Sequence, residues 1–155
     1  AASDVYKRQG EARTETEGFL PSSRDIIIRD VFAGDKTPAN LTTVEFFQAA
    51  KQSLAPGGLY VANCGDHSDL QLAKSELAGL DRVFDHLAVI ADPPMLKGRR
   101  YGNIILVASD TEMPAEGSVE AAQLAKALLG GAVPAHYKDE AWTRAFFAGA
   151  TAALD

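Results

Sequence analysis

The chain has 155 residues, of which 46% are hydrophobic and 23% charged, and its formal net charge is −6. This length is enough for one domain with a single core. Acidic and basic residues are mixed along the chain, which argues against a nucleic-acid partner, because a phosphate backbone rewards clustered Lys and Arg. No apolar stretch approaches the roughly 20 residues that a membrane-spanning helix needs, so we predict no membrane partner.

The single cysteine and the N-terminus bear on cellular location. Cys64 is the only cysteine, so no disulfide can form within the chain, and we expect a buried, inert thiol in a reducing compartment. The N-terminus lacks a signal-peptide pattern, so we predict a cytoplasmic protein. Residues 1–9, AASDVYKRQ, resemble a translated sequencing-adapter remnant. We therefore predict a non-native scar there, and a C-terminal piece of a longer protein after it.

The first predicted elements are a strand, a helix and a second strand. The apolar, β-branched run at 25–32 is too short for a helix and predicts a strand buried on both faces. Thr42 with Glu45 three residues later forms a capping box that predicts the start of a helix. The helix is expected to stop at 56–58, Pro-Gly-Gly. The apolar run at 58–64 predicts the next strand.

The pattern continues towards the C-terminus. Asp69 is suited to cap a helix that runs to about Gly79. Further strands are predicted at 83–91 and 101–109, and the short loop between them favours an antiparallel pair. Two more helices are predicted, at 118–130 and 139–153.

Alternating strands and helices indicate an α/β fold, with a mostly parallel sheet, helices on both faces and an antiparallel final strand. In such sheets, ligands bind outside the carboxyl ends of the strands. Asp30 lies at that end of the first strand, and 63–66, Asn-Cys-Gly-Asp, lies at that end of the second. We therefore expect these side chains at the mouth of one crevice.

The two acids after the first strand are the main candidates for chemistry. Asp30 and Asp35 could hold a cationic substrate, accept a proton from an amine or bind a divalent ion. In a purely structural interpretation, Asp30 caps the following turn and Asp35 is a solvated turn residue beside Gly34. The sequence physics favours the structural interpretation for Asp35 and leaves both open for Asp30.

Other motifs give weaker signals. His67 lies between Asp66 and Asp69, but zinc-type spacing and Cys partners are missing, so a polar loop that starts a helix is the preferred interpretation. The chain contains neither a phosphate-loop motif nor G-x-G-x-x-G. We predict no metal and no tightly bound cofactor.

One long segment resembles a known family. Residues 24–66, RDIIIRDVFAGDKTPANLTTVEFFQAAKQSLAPGGLYVANCGD, resemble the second half of spermidine synthase-like aminopropyltransferases, which have a class I methyltransferase, Rossmann-like fold. In that family a strand ends in Asp, as at Asp30, and a D-P-x-G-P-A-type loop follows, as at 35–39. A helix with paired aromatics comes next, here 46–47, and L-x-P-G-G, here 54–58, leads into the following strand. The closing strand is similar to GRRYGNIILVAS.

The resemblance runs from about Gly10 to Asp110 and implies a domain organisation. Residues 10–113 would be the C-terminal half of the synthase-like domain, and 114–155 would form C-terminal helices. The N-terminal part of the fold, with its glycine-rich turn, would be missing. The chain alone would therefore bind the nucleoside poorly and be inactive.

The resemblance also implies a reaction and its site. Decarboxylated S-adenosylmethionine would donate an aminopropyl group to a diamine such as putrescine, in polyamine biosynthesis. Asp30 would fix the donor and accept a proton from the attacking amine, and Asp35 would help to hold the ammonium groups. The donor would also contact Glu11, Ala12, Val31, Pro38 and Ala39. A Tyr before the closing strand contacts the amine in that family, and here Tyr101 stands next to the strand.

Two alternatives to aminopropyl transfer remain open. One is a methyltransferase of the same fold that uses S-adenosylmethionine itself. The other is a non-catalytic module with a degenerate synthase fold, which would serve in oligomerisation or regulation. The Ala-rich faces after residue 117 allow packing on the sheet or against a second subunit, so a homo-oligomer is possible.

Overall fold

The structure is a computed structural model that describes residues 7–155. The predicted scar at 1–9 therefore lies mostly outside the described residues. In chain order the elements are α1 (Ala12–Glu17), β1 (Arg24–Arg29), a 3₁₀ helix (Ala39–Leu41), α2 (Val44–Ser53), β2 (Leu54–Asp66), α3 (Gln71–Asp81), β3 (His86–Ala91), α4 (Pro93–Leu96), β4 (Gly102–Ser109), α5 (Val119–Leu129), β5 (His136–Lys138) and α6 (Glu140–Phe146).

The strands form one five-stranded sheet in the order β1-β2-β4-β3-β5. β1 and β2 are parallel, whereas the β2–β4, β3–β4 and β3–β5 pairs are antiparallel. β1, β2 and β3 thus point the same way, and β4 is inserted between β2 and β3 in the opposite direction. The predicted α/β class and the antiparallel pairing across the short loop before β4 are confirmed.

The core lies between the sheet and the helices α2 and α3. It is built from alternate side chains of the three central strands and from the apolar side of those helices. Its largest fully buried members are Tyr60, Phe47, Leu41, Leu77, Leu80, Leu87, Met95, Ile104 and Leu106. Cys64 belongs to this core, and burial raises the pKa of its thiol, as expected for an inert cysteine.

The prediction that the first strand is buried on both faces is wrong. Arg29 is 3% exposed on the core side, whereas Ile26 and Ile28 on the other side are 48% and 65% exposed. Leu59, the residue of β2 that pairs with Ile26, is 37% exposed. An unbroken apolar run suggests cover on both faces, but in the described part of the chain helices cover only one face of β1.

Several predicted helix boundaries need correction. Thr43, rather than Thr42, is the N-cap of α2, and its side chain accepts a hydrogen bond from the Phe46 amide at 3.3 Å. α2, which was predicted to stop at 56–58, ends at Ser53, and β2 begins at the next residue, Leu54. The last helix, predicted to run to residue 153, ends at Phe146, and Gly149 beyond it has a positive φ of 81°.

Other predictions hold to within a few residues. α5 lies within the predicted helix at 118–130, and α3 follows the predicted 69–79 with a small shift. The short elements α1, α4 and β5 were not predicted, since each has too few residues to show a hydrophobic period. Within residues 7–155, no helix has the length and apolarity required to cross a bilayer.

Candidate active site

Asp30 and Asn63 meet at the carboxyl edge of the sheet. Arg29 pairs with Ala62 in the parallel β1–β2 ladder, so the next residues along the two strands are neighbours. The Asn63 side-chain Nδ2 donates a hydrogen bond to Asp30 Oδ1 at 3.0 Å. The Asp30 carboxylate is exposed. It is therefore open to a ligand and oriented by a neighbouring strand.

A tight turn carries Asp35. The Ala33 amide donates to the Lys36 carbonyl at 2.8 Å, and Gly34 has a φ of 72°, which favours glycine. Asp35 therefore lies exposed at the tip of this turn, as its structural interpretation predicted. A role in binding ammonium groups stays a prediction for this residue.

Tyr101 holds that turn over the end of β2. Its hydroxyl donates a hydrogen bond to the Asp35 carbonyl at 3.1 Å, and its ring lies 5.1 Å from the ring of His67, centroid to centroid. A Cβ on Gly65 would lie 3.0 Å from the Tyr101 hydroxyl and 3.2 Å from the Phe32 ring. The absence of a side chain at Gly65 thus lets the turn and Tyr101 approach the strand end.

The loop that starts α3 is organised by Asp66. This side chain is 1% exposed and accepts hydrogen bonds from the backbone amides of His67 at 2.7 Å and Ala73 at 2.8 Å. Asp69, predicted as the cap, makes only a 3.5 Å contact with the Gln71 amide. The interpretation of a polar loop that starts a helix is confirmed, with a different residue satisfying the helix amides. Residues 7–155 contain no group of three or more His, Cys, Asp or Glu side chains arranged to hold a metal.

A buried ion pair lies beneath the site. Arg29 Nη2 is 2.9 Å from Glu76 Oε2, and the two side chains are 3% and 4% exposed. Burial raises the pKa of Glu76, and Arg29 opposes that shift. Neither residue was predicted to belong to the site, although a signal existed in the sequence: each is a charge that interrupts an apolar strand or helix face.

Comparison with solved structures identifies the relatives of this arrangement. The chain is 66% identical to a probable spermidine synthase from Corynebacterium glutamicum ATCC 13032, with a TM-score of 0.92, over 96% of this chain and 53% of that one. The resemblance to the spermidine synthase-like family is confirmed. The chain spans about half the length of this spermidine synthase relative.

Two more distant spermidine synthases share the fold. The enzyme from Thermotoga maritima has 18% identity and a TM-score of 0.54, over 90% of this chain and 45% of that one. A spermidine synthase solved with the transition-state analogue AdoDATO has 19% identity and a TM-score of 0.56, over 88% of this chain and 45% of that one. A scan against protein-family models and a search of curated proteins found no match.

The five residues that the spermidine synthase resemblance assigned to the donor lie at the start of α1 and in the segment from β1 to the 3₁₀ helix. The Glu11 carboxylate caps α1 by accepting from the Thr14 amide at 2.8 Å, and this hydrogen bond lowers its pKa. Arg13 Nη1 donates to the Asn40 carbonyl at 3.1 Å, which ties α1 to the segment directly after Pro38 and Ala39.

Two donor-assigned side chains are half-buried. Ala12 and Val31 pack against the core. Contact of these two residues, and of Glu11, Pro38 and Ala39, with a nucleoside stays a prediction.

Proposed function

We propose that this chain supplies the amine-activating part of an aminopropyltransferase site. Decarboxylated S-adenosylmethionine would be the donor and a diamine such as putrescine the acceptor. The observation that carries the proposal is the exposed Asp30 carboxylate, which Asn63 orients at the carboxyl edge of a spermidine synthase-like sheet.

The chemistry requires a proton acceptor beside the attacking amine. The amine lone pair attacks the carbon next to the sulfonium sulfur, the carbon–sulfur bond breaks, and sulfur keeps the electron pair as methylthioadenosine leaves. The new nitrogen–carbon bond makes the nitrogen cationic, and Asp30 takes its proton. A positioned acid or base of this kind accelerates a reaction by about 10²- to 10⁴-fold.

The remaining site residues take supporting roles in this proposal. Asp35, at the tip of its turn, would attract the distal ammonium group of the diamine. Glu11, Ala12, Val31, Pro38 and Ala39 would lie on the side of the donor nucleoside. We propose no resident cofactor, because the donor itself is the second substrate.

The test uses the gene product that carries this sequence, because the chain matches about half of its relative. The purified protein is incubated with putrescine and either decarboxylated S-adenosylmethionine or S-adenosylmethionine, and the products are measured by mass spectrometry. We expect spermidine and methylthioadenosine with the decarboxylated donor. Asp30→Asn should lower this rate by about 100-fold or more, the size of a lost general base.

Asp25→Asn is the matched control. Asp25 lies on the same strand, at its opposite end, and is exposed like Asp30. It should leave the rate within about twofold, the change expected of an exposed residue away from the site. Methyl transfer from S-adenosylmethionine in place of aminopropyl transfer would contradict the proposal, as would an unchanged rate in the Asp30→Asn variant.

A further inference from the structure

Burying the ion pair of Arg29 and Glu76 costs free energy, and a contribution to stability alone does not explain why this pair is present. Removing two charges from water is expensive, and apolar residues of similar volume often serve the fold equally well. Arg29 Nη2 lies 2.9 Å from Glu76 Oε2, and Oε1 accepts from the same nitrogen at 3.2 Å. The pair connects the end of β1 to α3.

The same guanidinium also donates to backbone carbonyls of the two chain segments that flank Asp30 in space. Nη1 donates to the Leu41 carbonyl at 3.2 Å, beyond the loop that follows Asp30. Nη2 donates to the Asn63 carbonyl at 3.3 Å, at the end of β2. One rigid, planar group therefore fixes both segments that surround the candidate base.

We propose that Arg29, held in place by Glu76, is a positioning residue that orients the Asp30 carboxylate through Asn63. Asn63 is the link, since its backbone carbonyl accepts from Arg29 and its side-chain amide donates to Asp30. Arg29 itself faces the core and has no route to the substrate. The catalytic part of this inference rests on the proposed function, whereas the geometric part does not.

The alternative is that the pair only stabilises the fold, and a double variant separates the two roles. Arg29→Met with Glu76→Leu removes both charges together, so that neither is left buried and unpaired. The matched control is Lys51→Met with Asp110→Leu, an ion pair of 2.8 Å next to the start of β2, at the other end of that strand.

The first readout is the side-chain amide of Asn63 in the 155-residue chain, observed by nuclear magnetic resonance. In the Arg29→Met/Glu76→Leu variant we expect cooperative unfolding, a changed Asn63 amide shift and about tenfold faster exchange of its protons with water, as when an ordinary hydrogen bond is lost. The control should resemble the wild type. An unchanged Asn63 amide in a folded double variant would overturn the proposal.

Arg29→Lys keeps the proposal testable if the double variant does not fold. Lysine preserves the charge beside Glu76 but lacks the fork that reaches two carbonyls. We expect the same change in the Asn63 amide, and its absence in a folded Arg29→Lys variant would also overturn the proposal.

The second readout is transfer by the gene product. Arg29→Lys should lower kcat by about 10- to 100-fold, because a misplaced catalytic group costs this much. KM should change little, since the lost interaction acts in the transition state. A normal kcat in Arg29→Lys, together with a slow Asp30→Asn variant, would overturn the catalytic role and leave the proposed function standing. If the wild type transfers nothing, the proposed function fails and the Asn63 amide still decides the geometric role.

Discussion

Gly65 is the residue at which three parts of the candidate site meet. A Cβ there would lie 3.0 Å from the Tyr101 hydroxyl and 3.2 Å from both the Asp35 carbonyl and the Phe32 ring. Separations this short force neighbours to move, and backbone yields less easily than a flexible side chain. The contact between Tyr101 and the turn therefore depends on the missing side chain.

We predict that Gly65→Ala displaces Tyr101 from the Asp35 carbonyl and lowers the free energy of unfolding by about 1–3 kcal/mol, as overpacking does. Denaturant unfolding measures the loss, and resonances at 31–38 report the moved turn. Gly130→Ala is the control, because its Cβ would meet nothing closer than 3.6 Å. Equal stabilities of the two variants would contradict the crowding at Gly65.

At the scale of an element, α6 depends on its first turn for attachment to the sheet. Asp139 is its N-cap and accepts from the Trp142 amide at 3.0 Å and from the Glu116 amide at 3.0 Å. The bond from Glu116 is the main cause of its lowered pKa, below the ordinary 3.8. Glu140 in the same turn contacts His86 Nδ1 of β3 at 2.8 Å.

A lowered carboxyl pKa has a definite sign in stability. The folded state prefers the ionised form, so the stabilisation is complete above the ordinary pKa of 3.8 and is lost as pH falls through the lower folded value. Asp139→Ala should therefore cost about 1 kcal/mol at neutral pH, the usual effect of a lost N-cap. This difference from the wild type should shrink in acid.

Unfolding at about pH 6, above the ordinary pKa of 3.8, and at about pH 2, below it, measures that prediction. Ser118→Ala is the control. Ser118 caps α5 through the Ala121 amide at 3.1 Å, but its hydroxyl does not titrate. Ser118→Ala should therefore lower the free energy of unfolding by a similar amount at both pH values. The prediction fails if the cost of Asp139→Ala is equally independent of pH.

For the molecule as a whole, the main exposed apolar surface of the sheet lies beside β1. β1 is an edge strand that pairs only with β2 among the described residues. Ile26, Ile28 and Leu59 are exposed together beside this edge. Exposed apolar patches and unpaired strand edges both favour association with other chains.

We predict that the chain self-associates in a concentration-dependent way and that Ile26→Lys with Ile28→Lys makes it monomeric. Sedimentation velocity over a concentration series measures this. Val119→Lys with Leu129→Lys on α5 removes two equally exposed apolar side chains elsewhere and should leave the association intact. A wild-type chain that remains monomeric throughout would contradict the prediction.

The sequence was most informative where a local pattern has one physical solution. The β-branched run before Asp30 predicts a strand, and the carboxyl ends of parallel strands share an edge, so the neighbourhood of Asp30 and Asn63 followed from local patterns. Residue order also carried the family resemblance, which the 66% identity to a solved relative confirmed. The capping residue of α2 was missed by one position, because two adjacent threonines are locally equivalent.

Contacts between segments that are distant in sequence could not be predicted from local patterns. The pairing of Arg29 with Glu76 joins a strand to a helix 47 residues away, and Tyr101 reaches Asp35 across 66 residues. The exposure of Ile26 and Ile28 is also a result of the tertiary fold, because the residues of a strand do not specify what packs on each of its faces. Local periodicity was enough to predict the four longer strands, the main helices and the edge that carries Asp30. The contacts that hold this edge in place, those of Arg29 with Glu76 and of Tyr101 with Asp35, depend on tertiary packing, and local sequence patterns do not encode them.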